Sequence, residues 1–438
     1  MLVLLFVIIL LFASVSYCQN VIPVGSYPCA LVYNAANAKV YCANYGDNTV
    51  SVVNVNNNQV ITTIRVGTGP VALAYNSTSN KVYCANQQSN EVSIINGVTN
   101  EVINTVTVGS YPSNLLFNPT TNTIYCSNSS SNSISIIDGV NDNIIATVNV
   151  GGYPTALTYN STNNKIYCTN TDDESVSIID GVTNQVIATV PVGRTPISLA
   201  YSIWNNQVYC ASWSNGRIDM IDGATNQKVD SLIYDNSGPQ SLIATDCCRI
   251  AYVNFTGDNI KLINCATNTI MATHQFPAGT RPYALSATGD YLYCANIGSN
   301  NIAAFVKHNL NPTVTFENIN YPITLLSVNW RTYIANLWAS TISLILYPTA
   351  IDEQRVSELE PVTFTVYPNP AKSYLTVYLP IRADHIKIYD VTGKIAKKKE
   401  FKSLGLAELK VSLDGLNQGV YFIRVDNLPK LKKIEVVR

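Results

Sequence analysis

Cysteine is the residue whose recurrence first asks for a chemical explanation. Cys42, Cys84, Cys126, Cys168 and Cys210 follow one another at 42-residue intervals, and Cys294 lies two intervals further on. A ring of thiolates would be a metal or redox device. Each cysteine, however, sits in a hexapeptide such as Lys81-Val82-Tyr83-Cys84-Ala85-Asn86. In an extended strand, Val82 and Cys84 point to one side and Tyr83 and Ala85 to the other. Both faces are apolar, so the strand is expected between two neighbouring sheets, with cysteine as a small buried hydrophobe. Equivalent cysteines would then lie about 10 Å apart, too far to form a disulfide or to converge on one ion. Cys29, Cys247, Cys248 and Cys265 fall outside this register, and their pairing stays open.

Other catalytic constellations are sparse. The three histidines, His274, His308 and His385, share no spacing with each other or with a nucleophile, which argues against a Ser-His-Asp or haem-ligand arrangement. Asp172-Asp173-Glu174 has the composition of a calcium turn, but one acidic turn reads first as solvated loop. Asp138-Gly139, Asp180-Gly181 and Asp222-Gly223 read as hairpin turns. Gly-rich phosphate loops are absent, and no metal or cofactor is expected.

The elements behind these residues follow from a repeat. Pro28, Pro70, Pro112, Pro154, Pro196, Pro239, Pro282 and Pro322 recur at intervals of 40 to 43 residues. Each unit holds four short apolar segments separated by turn compositions such as NSTNN and DGVTN. Repetition of four strands predicts an all-β propeller, one four-stranded blade per unit. A hydrophobic content of 47% in 438 residues is ample for such a core, while 13% charged residues and a net charge of −1 give no general attraction to nucleic acid.

The Tyr-Cys-Ala/Ser/Thr-Asn strand, Val-Ser-Ile-Ile-Asp-Gly at 176–181, Thr183-Asn184 and the Val-Gly-x-x-Pro junction at 108–112 resemble the YVTN-type β-propeller repeat of bacterial and archaeal surface proteins. The resemblance covers about residues 21–347, with cysteine where the family usually has valine. Seven complete units and a three-stranded eighth give eight blades, with Asn20–Gly25 supplying the missing strand; seven blades is the alternative.

The ends of the chain read differently. Residues 1–18 combine an uncharged apolar run, Leu2 to Ala13, with small residues after it, the pattern of a secretory signal peptide. The propeller is assigned to 19–348 and the charged stretch 349–360 to a linker. Residues 361–438 alternate as strands of a small β-sandwich. They carry Tyr367-Pro368-Asn369-Pro370, then Asp390-Val391-Thr392-Gly393-Lys394, then Gly415-Leu416-Asn417-Gln418-Gly419-Val420-Tyr421. In that order the motifs resemble the C-terminal sorting domain of type IX secretion cargo. The resemblance implies export through the inner and outer membranes, with the type IX machinery as partner, and a secreted or cell-surface location. No segment is long and apolar enough for an integral membrane helix.

Propellers bind on the face where the inter-blade junctions and the second-to-third-strand loops gather. Here that rim carries Tyr27, Tyr111, Tyr153, Arg194, Trp213, Arg281, Tyr283 and Tyr321, with Tyr45 and Trp338 beside them. Amphipathic rings of this kind suit a glycan or protein ligand, although a tyrosine before proline also serves simply to pack a turn. The leading expectation is a non-enzymatic surface or secreted binding protein. The alternatives are a polymer hydrolase or lyase using Asp172 or Asp258, and an architectural surface-layer protein.

Overall fold

The computed structural model describes residues 20–233, 238–246, 248–328 and 331–346, and, in the C-terminal part, 365–367, 374–379, 385–389, 395–400, 407–425 and 432–436. Residues 1–18, the 349–360 stretch, Cys247, Pro368, Asn369, Pro370, Asp390, Gly393 and Lys394 lie outside the described residues. The chain divides into two units, Met1–Leu346 and Tyr347–Arg438.

The first unit is an eight-bladed propeller of antiparallel four-stranded sheets. Strands a to d of a blade run in chain order; in blade 2 they are Pro70–Asn76, Lys81–Asn86, Glu91–Asn96 and Val102–Thr107. The a strands of successive blades lie against one another around the centre. The d strands form the outer edge, where in blade 4, for instance, exposure alternates along Val186–Pro191. Blade 8 joins Pro322–Val328, Arg331–Asn336 and Thr341–Leu346 to the N-terminal Asn20–Pro23, with Ile22 opposite Ile342. This pairing gives blade 8 its outer strand and ties the two ends of the ring together.

Packing between blades follows the strand alternation. Val82 and Cys84 pack with Tyr41, Val50 and Val52 of blade 1, whereas Tyr83 and Ala85 pack with Ile124 and Cys126 of blade 3. All six in-register cysteines are wholly buried and none is in a disulfide. Burial raises the pKa of every one of these thiols, so they are inert packing groups rather than ligands.

The repeated polar residues knit the blades together. The Tyr41 hydroxyl donates to Asn100 Oδ1 at 2.8 Å, Tyr83 to Asp142 at 2.9 Å, Tyr125 to Asn184 at 2.6 Å and Tyr209 to Asn268 at 2.7 Å, each in the c–d turn of the next blade. Tyr333 reaches Asn58 in the same way across the closure. Asn44, Asn86, Asn128 and Asn170 donate to Ser51, Ser93, Ser135 and Ser177 on the neighbouring strand of their own blade. Hence in these blades the Tyr and the Asn of the hexapeptide are buried hydrogen-bonding groups, while the Tyr167 hydroxyl of blade 4 is buried without a partner among the described residues.

In the second unit the described strands form a three-stranded and a four-stranded sheet. Ile395–Glu400 is a strand that the sequence pattern did not reveal. Its Ala-Lys-Lys-Lys-Glu run shows no apolar alternation, yet backbone pairing with His385–Tyr389 sets its conformation. Leu416 is buried and Gly415 adopts φ +87° in the turn before Gly419–Val425.

Candidate functional site

The upper face is organised by the residue that precedes each strand-a proline. At Tyr27, Tyr111, Tyr153, Thr195, Arg281 and Tyr321 this residue has φ between 51° and 62°. That left-handed region is rare for side chains other than Gly, Asn and Asp, and costs on the order of 1–3 kcal/mol per residue. Proline on the C-terminal side disfavours right-handed helical backbone as well.

Bonds to the flanking blades hold the conformation. The amides of Tyr111, Tyr153 and Tyr321 donate to Asn90, Asn132 and Asn300 of the preceding blade at 2.8, 3.0 and 3.0 Å. The carbonyls of Tyr27, Tyr111, Tyr153, Thr195, Arg281 and Tyr321 accept from the amides of Tyr45, Ser129, Thr171, Trp213, Ile297 and Leu337 of the following blade. Each junction residue is therefore clamped at its amide, its carbonyl or both, and its side chain is delivered to the surface. Tyr27 is 45% exposed and Tyr111 and Tyr153 are 39% exposed, which makes them partly accessible rings on clamped backbone.

The junction glycines have a matching cause. A Cβ on Gly109 would lie 2.7 Å from Asn128, and one on Gly151 would lie 2.8 Å from Asn170. The Val-Gly-x-x-Pro signature thus lets the junction lie flat over the asparagine that ends strand b.

The remaining rim residues fall into local groups. Trp338, 60% exposed, stands edge-to-face with Tyr27 at 6.1 Å and with Tyr321 at 5.5 Å. The Arg281 guanidinium lies 5.9 Å from the Phe255 ring, which also meets Tyr283 at 6.4 Å. Tyr283 follows the junction proline and starts the inner strand, half-buried. Arg194 is exposed and pairs with Glu174 at 3.6 Å. Trp213 opens a short 3-10 turn and lies over Gly238, where a Cβ would meet its Nε1 at 2.5 Å. The rim residues are spread around the ring and do not converge on one centre.

The acids considered for chemistry are largely committed to structure. Asp258 accepts from Gly279 N at 2.7 Å and Arg281 N at 2.6 Å, the capping role that Asn90 and Asn132 play elsewhere. Its position, 42 residues before Asn300, was a readable signal for that role. Asp173 accepts from Gly152 N at 2.7 Å and Glu174 turns to Arg194, so the acidic turn disperses its carboxylates. Among the described residues, no group of three or more His, Cys, Asp or Glu is placed to hold a metal ion. His274 packs edge-on against Phe276 and Phe305, and burial lowers its pKa.

One buried charge departs from the repeat. Asp219 replaces the serine found at positions 51, 93, 135 and 177, is fully buried, and accepts from Arg217 Nε at 2.7 Å, Ser231 Oγ at 2.7 Å and Gly193 N at 2.8 Å. In the same blade Ser212 stands where the others have asparagine, so the acceptor stays on strand c while its donors become Gly193, Arg217 and Ser231.

Among known proteins, residues 365–437 match the secretion system C-terminal sorting domain. This tail marks the chain for type IX export to the cell surface or the medium, and implies an interaction with that machinery. No helix among the described residues is long and apolar enough to cross a membrane. No curated protein matches the chain. Of solved structures, the computationally designed Ika8 protein superposes with a TM-score of 0.63 at 16% identity, covering 75% of this chain and 100% of its own. Kuenenia stuttgartiensis hydrazine synthase gives 0.53 at 16% identity over 74% and 96%. Virginiamycin B lyase from Staphylococcus aureus gives 0.51 at 15% identity over 75% and 99%. Identities this low speak to the fold alone. Residues 9–290 match the YNCE-like beta-propeller family, and with its eight repeated blades the chain belongs to that family.

Proposed function

We propose that this exported propeller is a binding protein that engages an extracellular glycan or protein through its upper face. The observation that carries this reading is the set of junction residues held at positive φ by bonds to the flanking blades, with tyrosine at four of the six positions. Energetically unfavourable backbone at a repeated surface position, presenting amphipathic rings, fits pre-organised recognition. In this reading residues 1–18 are removed on export, 19–348 form the binding unit, 349–360 link it, and 361–438 direct sorting.

The test is retention of the purified full chain on outer-surface polysaccharide and surface-protein fractions of the producing cells. Tyr111→Ala with Tyr153→Ala is expected to weaken retention at least tenfold without lowering the melting temperature appreciably. Equal retention by the double variant would contradict upper-face binding. Polymer breakdown by the chain, abolished at Asp172, would favour the hydrolase or lyase alternative; ordered self-assembly without a ligand would favour the architectural one.

A further inference from the structure

We infer that the seam between blades 8 and 1 is a carbohydrate subsite, in which Trp338, braced by Tyr27 and Tyr321, stacks on a pyranose face of a neutral saccharide. This rests on the upper-face binding proposed above and specifies its location and ligand class.

Three observations lead to it. Tyr27 and Tyr321 both meet Trp338 edge-to-face, at 6.1 and 5.5 Å, so two residues on clamped backbone fix an indole that remains 60% exposed. A saturated sugar ring offers a face of C–H groups that is well matched to the electron-rich face of an exposed indole. Next to the aromatic group is a polar edge. The would-be Cβ of Gly46 is 2.6 Å from the Tyr27 ring, and the adjacent Asp47, itself exposed, accepts from Ser26 N through Oδ2 at 2.7 Å. Its other oxygen is available to a sugar hydroxyl.

Size favours a saccharide over a folded protein. With aromatic side chains offering roughly 150–250 Å² each, the exposed fractions here leave an aromatic surface of roughly 300 Å². A stable protein–protein interface takes roughly 800 Å² from each partner, so the trio suits a short run of sugar rings. Its location adds a consequence. Tyr27 follows the closing strand Asn20–Pro23 and Trp338 belongs to blade 8, so a ligand across both rings ties the two ends of the propeller together and stabilises the closed ring.

The experiment titrates the full chain calorimetrically with cellohexaose, chitohexaose and mannohexaose, and records the melting temperature with each. Binding by at least one, with a raised melting temperature, and a tenfold or greater loss in Trp338→Ala and Tyr27→Ala is expected. Trp204→Ala is the control, because Trp204 is 54% exposed in an a–b turn on the opposite face, and it should bind as the parent does. Saccharide binding unaffected by Trp338→Ala and Tyr27→Ala would overturn the subsite while leaving upper-face recognition standing. Binding of surface proteins but none of the hexasaccharides would overturn the ligand class. Failure of the parent chain to bind saccharide or protein would overturn both this inference and the reading beneath it.

Discussion

The hydroxyl of Tyr83 in blade 2 donates to Asp142 Oδ1 in the c–d turn of blade 3 at 2.9 Å, and Lys81 Nζ meets the other carboxylate oxygen at 2.7 Å. One carboxylate thus joins two blades through a buried and a partly buried donor. Removing the hydroxyl in Tyr83→Phe leaves Asp142 with its lysine, whereas Asp142→Ala takes the acceptor from Tyr83 and leaves Lys81 only the carbonyls of Gly139 and Val140. A hydrogen bond to a charged group contributes about 1.5–3 kcal/mol. Denaturant unfolding should therefore show Asp142→Ala less stable than Tyr83→Phe; equal stability of both variants and the parent would remove this seam from the account.

The in-register thiols predict a pair of opposite outcomes. Cys84→Val keeps an apolar group of similar size and should fold with stability within about 1.5 kcal/mol of the parent. Cys84→Ser places a hydroxyl between blades 1 and 2 and should be destabilised by about 1–3 kcal/mol. Thiol labelling of the native protein should leave Cys84 unmodified until unfolding, and rapid labelling of the folded chain would contradict its burial.

Gly109 is expected to be intolerant of a methyl group. Alanine there would place a Cβ against Ser131 Oγ and 2.7 Å from the Cβ and Cγ of Asn128, forcing the junction or these side chains to move. Overpacking of this kind costs about 1–3 kcal/mol. Thermal melts of Gly109→Ala and Gly109→Ala/Ser131→Ala separate the causes: the second change should recover part of the loss if the clash is with the serine hydroxyl.

Much of this architecture is legible along the chain because propeller blades are local. The Cys and Pro periods and the alternation within Lys81–Asn86 give the blade number, the closing strand and the two buried faces. What stayed hidden is decided between segments far apart in sequence. Tyr111 before Pro112 looks like any turn residue, and its positive φ follows from Asn90 on the preceding blade. The contact of Tyr27 with Trp338 exists only once the ring has closed. Asp258 looked like a rim acid, although its place 42 residues before Asn300 marks the capping role seen in its bonds from Gly279 and Arg281. In the tail, the strand Ile395–Glu400 was missed because its pairing partner rather than its own pattern orders it.

Stability should fall on mild acidification through His274. Burial lowers its pKa below the usual histidine value of 6.5, so the unfolded chain binds the proton more readily than the folded one. The contribution is therefore present above the unfolded pKa and is lost as pH falls through 6.5 towards the lowered folded value. Comparing melting temperatures between pH 7.5 and 5, His274→Phe should show a shallower decline than the parent. An unchanged slope would mean that His274 protonates as easily in the folded chain as in the unfolded one.

The most direct measurement compares binding of two face variants of the full chain to intact producing cells stripped of their own copy. One replaces Tyr27, Tyr111, Tyr153 and Trp338 by alanine on the upper face. The other replaces Val98, Val140 and Val182, exposed at 64%, 67% and 70% in the c–d turns, by serine on the lower face. At least a tenfold loss of cell binding is expected for the first and parental binding for the second. Parental binding by the upper-face variant, or loss confined to the lower-face variant, would contradict it.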